Sequence, residues 1–255
     1  MSEQKLLGSD NQPEQRAVGL LFLANFVHQV VNPLSGVVGT LHNINDGTYS
    51  GEVVKQKINA CRGQLEGCIA LIRNLAYLSD YFFETQEDAA LRPAREGASS
   101  ILPQVVIEAI QFFQIAAEKR SMKLELVNSR TQYKIAVRPE LLRQVFINMF
   151  DNWLKYGLRD QTIRVESRVN DKKELVIEIV GKSVGFDNSE SEKLFELGYR
   201  SKSAQEKVAQ GSGIGLYICR QIVEKTVSGK ISAVHSNSRG ESTFRVVVPR
   251  EKWQV

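Results

Sequence analysis

The sequence predicts two domains, a hairpin of two long helices followed by an α+β sandwich. Three observations predict this fold class: two stretches of apolar residues at helical spacing, a polar segment after them, and a mixture of helix and strand patterns in the remainder. A chain of 255 residues is long enough for one or two domains with a substantial core. We place the hairpin at residues 14–84, a linker at 85–100 and the sandwich at 101–250.

The hairpin is predicted from two seven-residue repeats separated by the turn sequence Asn45-Asp46-Gly47. The apolar members of the first repeat are Leu20, Leu23, Val27, Val30, Leu34, Val37, Leu41 and Ile44, and those of the second are Val54, Ile58, Cys61, Leu65, Cys68, Ile72 and Leu75. Each helix has one narrow apolar stripe, so the hairpin alone would expose apolar surface. Dimerisation into a four-helix bundle would cover that surface. The repeats alone are equally compatible with a plain coiled-coil dimer.

Composition and charge exclude several classes of protein. Hydrophobic residues make up 42% and charged residues 24%, which excludes wholesale disorder. The net charge of +4 is too small to indicate binding to nucleic acid. The apolar runs are too short for insertion into a membrane, and the N-terminus does not have the order of a signal peptide. Three cysteines cannot form a disulfide framework, so we expect a reducing, cytoplasmic location.

The second domain alternates between helix and strand patterns. We predict helices at 102–119, 139–156 and 214–226, and strands at 123–127, 133–137, 162–169, 174–180, 230–235 and 243–248. Helices on one face of a mixed sheet give an α+β sandwich.

A glycine-rich segment stands at the start of the last predicted helix. Gly211, Gly213 and Gly215 alternate with other residues and are followed by Leu216. Glycines let main-chain N–H groups approach phosphates closely, and a helix N-terminus favours an anion. A Rossmann loop would follow a strand directly, whereas here residues 201–210 form a polar loop that we expect to be mobile.

Two further segments carry side chains suited to a bound nucleotide. Asn148, Asn152 and Lys155 (or Tyr156) fall on one face of a predicted helix. An amide oxygen suits Mg²⁺ and a lysine suits phosphate, although a polar face exposed to solvent would look the same. Between this helix and the glycines, apolar residues anchor segment 194–202, in which Arg200 and Lys202 can reach a terminal phosphate.

These three segments, in this order, resemble the ATP-binding fold shared by gyrase, the heat-shock chaperone, mismatch-repair ATPases and sensor histidine kinases. Segment 148–156 resembles the N box, 194–202 the F box and 211–216 the second glycine box. The resemblance implies that ATP and Mg²⁺ are cofactors and that residues 198–213 form a lid.

By the same resemblance, Asn152 would hold Mg²⁺, Asn148 and Lys155 would support metal and phosphates, and Tyr156 would lie near the nucleotide. The ATPase relatives carry a water-activating Glu where this chain has Asn148. The absence of that Glu favours transfer to a protein group over hydrolysis.

The predicted hairpin contains a candidate phosphoryl acceptor. The segment from Phe26 to Leu34 resembles the H box of histidine kinases, with His28 followed by Gln29 and by Asn32 before a proline. His28 follows Val27 of the apolar stripe and so lies at the edge of the predicted core. The resemblance implies that His28 is the catalytic acceptor with Gln29 and Asn32 beside it, in a homodimer whose partner is the receiver domain of a response regulator.

The match fails at two places. The first glycine box usually begins with an Asp that accepts a hydrogen bond from the adenine amino group, but Gly181 stands there, Ser183 replaces the first glycine, and only Gly185 remains. Loss of a hydrogen bond to a charged group predicts about ten- to a hundred-fold weaker binding of ATP. In the H box, Gln29 replaces an acid and cannot take a proton.

Three hypotheses follow from these patterns. The first is a histidine kinase core that phosphorylates His28 with ATP and passes the group to a regulator aspartate. The second is an ATP-independent histidine phosphotransferase or pseudokinase, in which the degenerate domain docks partners. The third is a structural coiled-coil dimer with a decayed domain. His42 and His235 lack a comparable context, and we interpret them as incidental.

Overall fold

The computed structural model describes residues 12–82, 98–208 and 211–255. The chain divides into two compact units, Met1–Leu91 and Arg92–Val255. Of the predicted linker 85–100, residues 85–97 lie outside the described residues. Within the described ranges, no helix combines the length and the apolar character needed to cross a membrane.

The first unit is a hairpin of helices α1 (Gln12–Asn45) and α2 (Glu52–Phe82), as predicted. In the connecting turn the N–H of Asp46 donates to the carbonyl of His42 over 2.9 Å, and Gly47 has a φ of +73°. The left-handed backbone there suits glycine. Helix α1 continues through Pro33.

Covered and exposed side chains alternate along each predicted apolar stripe. Val37, Cys61 and Cys68 are buried, and the Cys68 thiol lies 3.7 Å from the carbonyl oxygen of Val30 on the other helix. The alternate members of the repeats are exposed, namely Val27, Leu34, Leu41, Ile58, Leu65 and Ile72. The structure does not describe the side chains of Leu20, Leu23 and Leu75. The hairpin therefore covers only half of each described stripe by itself.

The second unit is built on a five-stranded sheet with strand order β2-β4-β5-β7-β6. Its strands are β2 (Met122–Leu126), β4 (Gln161–Val169), β5 (Leu175–Lys182), β6 (Lys230–Ser236) and β7 (Glu241–Val248). Strands β2 and β4 are parallel and all other neighbours are antiparallel. A small antiparallel sheet joins β1 (Ser100–Ile101), β3 (Lys134–Ile135) and β8 (Trp253–Gln254).

In residues 98–208 and 211–255 four α-helices accompany these sheets: α3 (Leu102–Glu118), α4 (Pro139–Tyr156), α5 (Lys202–Lys207) and α6 (Gly215–Val227). Phe146 and Phe150 of α4, Ile218 of α6, and Ile163 and Ile177 of the sheet are among its fully buried side chains. Proline stands in the first turn of α4, where its missing N–H has no intrahelical partner to lose. The predicted α+β sandwich is confirmed.

The structure differs from the predicted elements where the strands are very short. The predicted strand 133–137 is only two residues long, and β1 and β8 were not predicted, because two residues leave no alternation to detect. The loop predicted at 201–210 is wrong in its first part, whereas its mobility stays a prediction and residues 209–210 lie outside the described residues. Lys202–Lys207 is helical, and the Ser201 hydroxyl caps it by accepting from the N–H of Ala204 at 3.3 Å.

Candidate functional site

The glycine loop forms a main-chain cradle in front of α6. Gly213 has a φ of +66°, and a Cβ atom there would lie 2.5 Å from the carbonyl carbon of Gly198. The N–H of Gly198 donates to the carbonyl of Gly213 over 3.2 Å, which joins the loop to the predicted lid. Helix α6 then begins at Gly215, with Leu216 partly buried in its first turn. Because the first-turn N–H groups of a helix have no intrahelical partner, this end suits an anion.

Asn148 joins α4 to the start of α6. Its Nδ2 donates to the carbonyl of Gly215 over 3.2 Å, and its Oδ1 accepts from Nε2 of Gln144 at 2.9 Å. Cys219 lies one turn into α6, and complete burial raises the pKa of its thiol to about 12. Both ends of the Asn148 amide are thus bonded within the protein. The predicted support of metal and phosphates by Asn148 stays a prediction.

Asn152, one turn further along α4, has an amide nitrogen without a partner. Its Nδ2 is buried and makes no hydrogen bond. Buried polar atoms in folded proteins are nearly always paired, so an unpaired one marks a place for a ligand, an ion or water. The amide oxygen of the same side chain fits Mg²⁺ that takes its other ligands from phosphates and water. The described ranges contain no group of three His, Cys, Asp or Glu side chains able to hold a metal instead.

The structure brings some of the remaining predicted residues together and leaves others apart. The Tyr156 hydroxyl and Nε of Arg200 lie 3.4 Å and 3.2 Å from the Cβ position of Gly211. Lys155 is paired with Asp151 on its own helix, with 2.5 Å between Nζ and Oδ2. Lys202 is exposed in the first turn of α5. Phosphate contacts by Lys155 and Lys202 stay predictions.

Arg200 bonds to main chain in residues 198–208, the first part of the predicted lid. Its Nη2 donates to the carbonyls of Ala204, at 3.0 Å, and of Val208. The hydroxyl of Ser203 donates to the carbonyl of Gly185 over 2.7 Å. Helix α5 is therefore bonded to the segment that resembles the first glycine box.

Gly181 is buried near the end of β5 and faces α4. A Cβ atom there would lie 3.0 Å from Oε1 of Gln161, 3.2 Å from Ile163 and 3.3 Å from Cζ3 of Trp153. All three distances are tighter than ordinary contacts. The neighbours would have to shift before any side chain could extend from this position.

Neither nearby acid replaces the missing aspartate. Oδ1 of Asp187 accepts from the N–H of Ser189 at 2.9 Å, and this hydrogen bond lowers the pKa of the carboxyl. Glu178 is bonded to Arg168 and Arg245. Burial alone would raise the pKa of Glu178, but the hydrogen bonds from the two guanidinium groups outweigh burial and hold it below its ordinary value. Both carboxylates are therefore committed to neighbouring groups.

His235, which the sequence marks as incidental, is buried against the remaining glycine of the first glycine box. Gly185 has a φ of +75°, and a Cβ there would lie 2.5 Å from Nε2 of His235. Nδ1 of His235 lies 2.9 Å from the hydroxyl of Ser242, which lies 2.7 Å from that of Ser183. The hydroxyl of Ser183 also accepts from the N–H of Gly185 at 3.1 Å. The alternation of strand β6 carried the signal for this burial.

The candidate acceptor lies in the other unit. His28 and Gln29 are within α1, and the structure does not describe their side chains. Val27 and Asn32 on either side of them are exposed. The roles of His28, Gln29 and Asn32 stay predictions.

Residues 137–252 match the family described as histidine kinase-, DNA gyrase B-, and HSP90-like ATPase. The sensor protein KdpD of Clostridium acetobutylicum is 26% identical over 234 residues, which cover 90% of this chain and 24% of that protein. The signal transduction histidine-protein kinase BaeS of Escherichia coli is 26% identical over 233 residues, 91% of this chain and 47% of that protein. The chain spans less than half the length of these relatives.

Two solved histidine kinases share the fold. The Acinetobacter baumannii kinase AdeS superposes with a TM-score of 0.60 at 19% identity, covering 88% of this chain and 98% of that one. The kinase ThkA, solved in complex with the response regulator protein TrrA, gives a TM-score of 0.63 at 17% identity, covering 98% of this chain and 68% of that one. Residues 137–252 therefore form an ATPase domain of the type shared by histidine kinases, gyrase B and HSP90, and the similarity to histidine kinases extends over both units.

Proposed function

We propose that the chain acts as a kinase in two-component signalling, transferring the γ-phosphoryl group of ATP to His28 and then to an aspartate of a receiver domain. The observation that carries this proposal is the glycine cradle at the start of α6, together with the buried and unpaired amide nitrogen of Asn152 on α4. We call this region, with Asn148, Asn152 and residues 211–216, the glycine-loop end of the site. The solved complex of ThkA with a response regulator supports a receiver as partner.

The glycine-loop end would hold the phosphates, and a Mg²⁺ ion on Asn152 Oδ1 would offset their charge. Around the nucleotide we place the remaining residues that the resemblance assigns to it: Asn148, Lys155, Tyr156, Gly185, Arg200, Lys202, Gly211, Gly213, Gly215 and Leu216. The first-turn N–H groups of α6 would contribute main-chain donors.

In the first step an imidazole nitrogen of His28 bonds to the γ-phosphorus. The bond from that phosphorus to the bridging oxygen breaks, and ADP leaves with the electron pair. The imidazole proton passes to water, because Gln29 has no carboxylate to accept it. In the second step a carboxylate oxygen of the receiver bonds to the phosphorus, and the phosphorus–nitrogen bond breaks.

The test is incubation of the purified chain with γ-labelled ATP and Mg²⁺. We expect label that is labile in acid and stable in base on the wild type, and none on His28→Ala. The matched control is His42→Ala, because His42 lies on the same helix two heptads later and its imidazole pairs with nearby Asp46, at 3.1 Å. His42→Ala should keep full labelling, and label that persists on His28→Ala would contradict the assignment of His28.

A second candidate, phosphotransfer without ATP, is favoured by the crowding around Gly181. In that case His28 would take its phosphoryl group from one phosphorylated receiver and pass it to another. A labelled receiver would then label the wild type in the absence of nucleotide, while γ-labelled ATP would not. Labelling by ATP alone would exclude this candidate.

We also propose that the chain is a homodimer through the hairpin. The exposed alternate members of both stripes form apolar rows that the hairpin does not cover, and Leu34 and Leu41 lie in one of them. We expect Leu34→Asp combined with Leu41→Asp to sediment as a monomer, and Ser35→Asp, at an exposed neighbour, to remain dimeric. A wild type that sediments as a monomer at high concentration would contradict the proposal.

A further inference from the structure

We propose that Gln161 and Trp153 remove base selectivity from this site, so that it takes Mg²⁺ complexes of nucleoside triphosphates whatever their base. The inference rests on the proposed function, because it takes the glycine-loop end as the place of the phosphates. It concerns a second part of the site, formed by residues 156–158 and 181–185, which we call the strand end. Asn148 and Tyr156 are about 12 Å apart along α4, and we take the base of a nucleotide whose phosphates lie beside Asn148 and Asn152 to lie toward the strand end.

Main-chain hydrogen bonds close the strand end. The N–H of Val184 donates to the carbonyl of Tyr156 over 3.1 Å, and the N–H of Leu158 donates to that of Lys182 over 3.0 Å. Between these bonds, Gly157 and Ser183 form an antiparallel bridge. The end of α4 is thus joined directly to the end of β5.

The side chain of Gln161 completes this closure. Its Nε2 donates to the carbonyls of Leu158, at 2.7 Å, and Lys182, at 2.6 Å. Its Oε1 accepts from the N–H of Lys182 at 2.5 Å. Both donors of the carboxamide are therefore bonded to main chain, and its oxygen already accepts one main-chain hydrogen bond.

Trp153 places carbon atoms of its indole beside Gly181, where the amino group of adenine would need a hydrogen-bond acceptor. Its side chain is 2% exposed, its Cζ3 atom faces Gly181, and its ring packs edge-on against Phe244 with 5.9 Å between centroids. Its Nε1 is buried without a partner. This N–H is a donor and cannot accept from the amino group of adenine.

The hydroxyl of Ser183 at the strand end is paired. It lies 2.7 Å from that of Ser242 and accepts from the N–H of Gly185. Among its described side chains, the strand end therefore offers no acceptor without a partner, and its unpaired polar atom is the donor Nε1 of Trp153. Affinity should come from phosphates and metal, and the base should contribute little to it.

The experiment is equilibrium binding by calorimetry with the wild-type chain in Mg²⁺, titrated with ATP, GTP, UTP and inorganic tripolyphosphate. We expect the three nucleotides to bind with Kd values within about threefold of one another. A preference of tenfold or more for any one base would overturn the inference while leaving the kinase proposal standing. If none of the four ligands binds, the proposed function fails and the inference fails with it.

A restoring variant sharpens the test. Gly181→Asp alone should not favour ATP, because its Cβ meets Gln161 and Trp153. Combined with Trp153→Ala, it should favour ATP over GTP by about tenfold, as expected for one hydrogen bond to a charged acceptor. The matched control is Gly181→Asp with Trp253→Ala, which removes the indole of β8 instead. This variant should show no preference between ATP and GTP. Adenine preference in Gly181→Asp alone would show that Gln161 and Trp153 do not block the contact between the aspartate and adenine. It would overturn the inference even if the double variant does not fold.

Discussion

The glycine-loop end and the strand end share helix α4, and each holds a buried N–H without a partner, but these two groups differ in their surroundings. At the glycine-loop end it is the amide nitrogen of Asn152, whose side chain is half-buried. At the strand end it is Nε1 of Trp153, whose indole is buried and packs against Phe244, while the side chains of Gln161 and Ser183 are hydrogen-bonded. An unpaired buried group carries a desolvation cost that a ligand can remove, whereas a paired group stabilises the fold itself. The difference indicates which half of the site has kept its suitability for a ligand.

The largest effect is expected at Gly213. In Gly213→Ala the new methyl group would meet the carbonyl of Gly198 at 2.5 Å, in a backbone conformation that alanine rarely adopts. Strain of this kind costs about 1–3 kcal/mol before the clash is counted. We expect the melting temperature to fall by about 5 °C or more and binding of tripolyphosphate to be lost.

Gly215→Ala is the matched control for that change. A Cβ at Gly215 would make ordinary contacts, 3.7 Å from Cβ and Cγ of Asn148. Its melting temperature should stay close to that of the wild type, as measured by thermal unfolding. An equal loss of stability in both variants would mean that the loop geometry is not the cause.

How much of the fold and of the candidate site could be predicted from the sequence depends on how far apart in the chain the interacting residues lie. The long strands and α4 follow from alternation and helical spacing, and the glycine loop follows from a local motif. The alternation of side chains along β6 also places His235 on the buried side with Ile231 and Ala233. Its burial could therefore be predicted, although its contact with Gly185 could not.

The hydrogen bonds and the packing that close the strand end could not be predicted from the sequence. Gln161 is 20 residues from Gly181, and its carboxamide bonds to main chain of two segments, which leaves no pattern in the sequence. Trp153 looks like an ordinary core residue of an amphipathic helix. The motif comparison identifies what is missing at Gly181, but only the packing shows what has replaced it.

A smaller effect is expected from substitution of the two asparagines of α4. Asn152 has an unpaired amide nitrogen, whereas the amide of Asn148 is hydrogen-bonded at both ends. Asn152→Ala removes an unpaired buried amide, so we expect an unchanged or higher melting temperature together with about tenfold weaker Mg²⁺-dependent binding of nucleotide. Asn148→Ala removes two hydrogen bonds, the one from Nε2 of Gln144 and the one to the carbonyl of Gly215. It should lose about 2 kcal/mol of unfolding free energy.

Thermal unfolding and calorimetry on both variants distinguish the two roles. A stability loss in Asn152→Ala as large as that in Asn148→Ala would show that both side chains are structural. The contrast between a ligand-binding and a bonded amide would then disappear.

The smallest effect on the fold is expected from the ionisation of Cys219, which reports on whether α6 stays packed against α4. Burial raises the pKa of this thiol to about 12, against an ordinary value of about 8.5. At pH 8 the reactive thiolate is therefore more than about a thousand times scarcer than in the unfolded chain, and alkylation should be correspondingly slow. Since the folded pKa is the higher one, the stability that burial gives is complete below about pH 8.5 and is lost as the pH rises toward 12.

Alkylation at pH 8, quantified for each cysteine by mass spectrometry, should accelerate at Cys219 in Gly213→Ala, because the strained loop loosens the start of α6. Cys61 and Cys68, which are buried in the hairpin, should be unaffected by that substitution. Rapid alkylation of Cys219 in the wild type would instead mean that the glycine-loop end opens without any substitution.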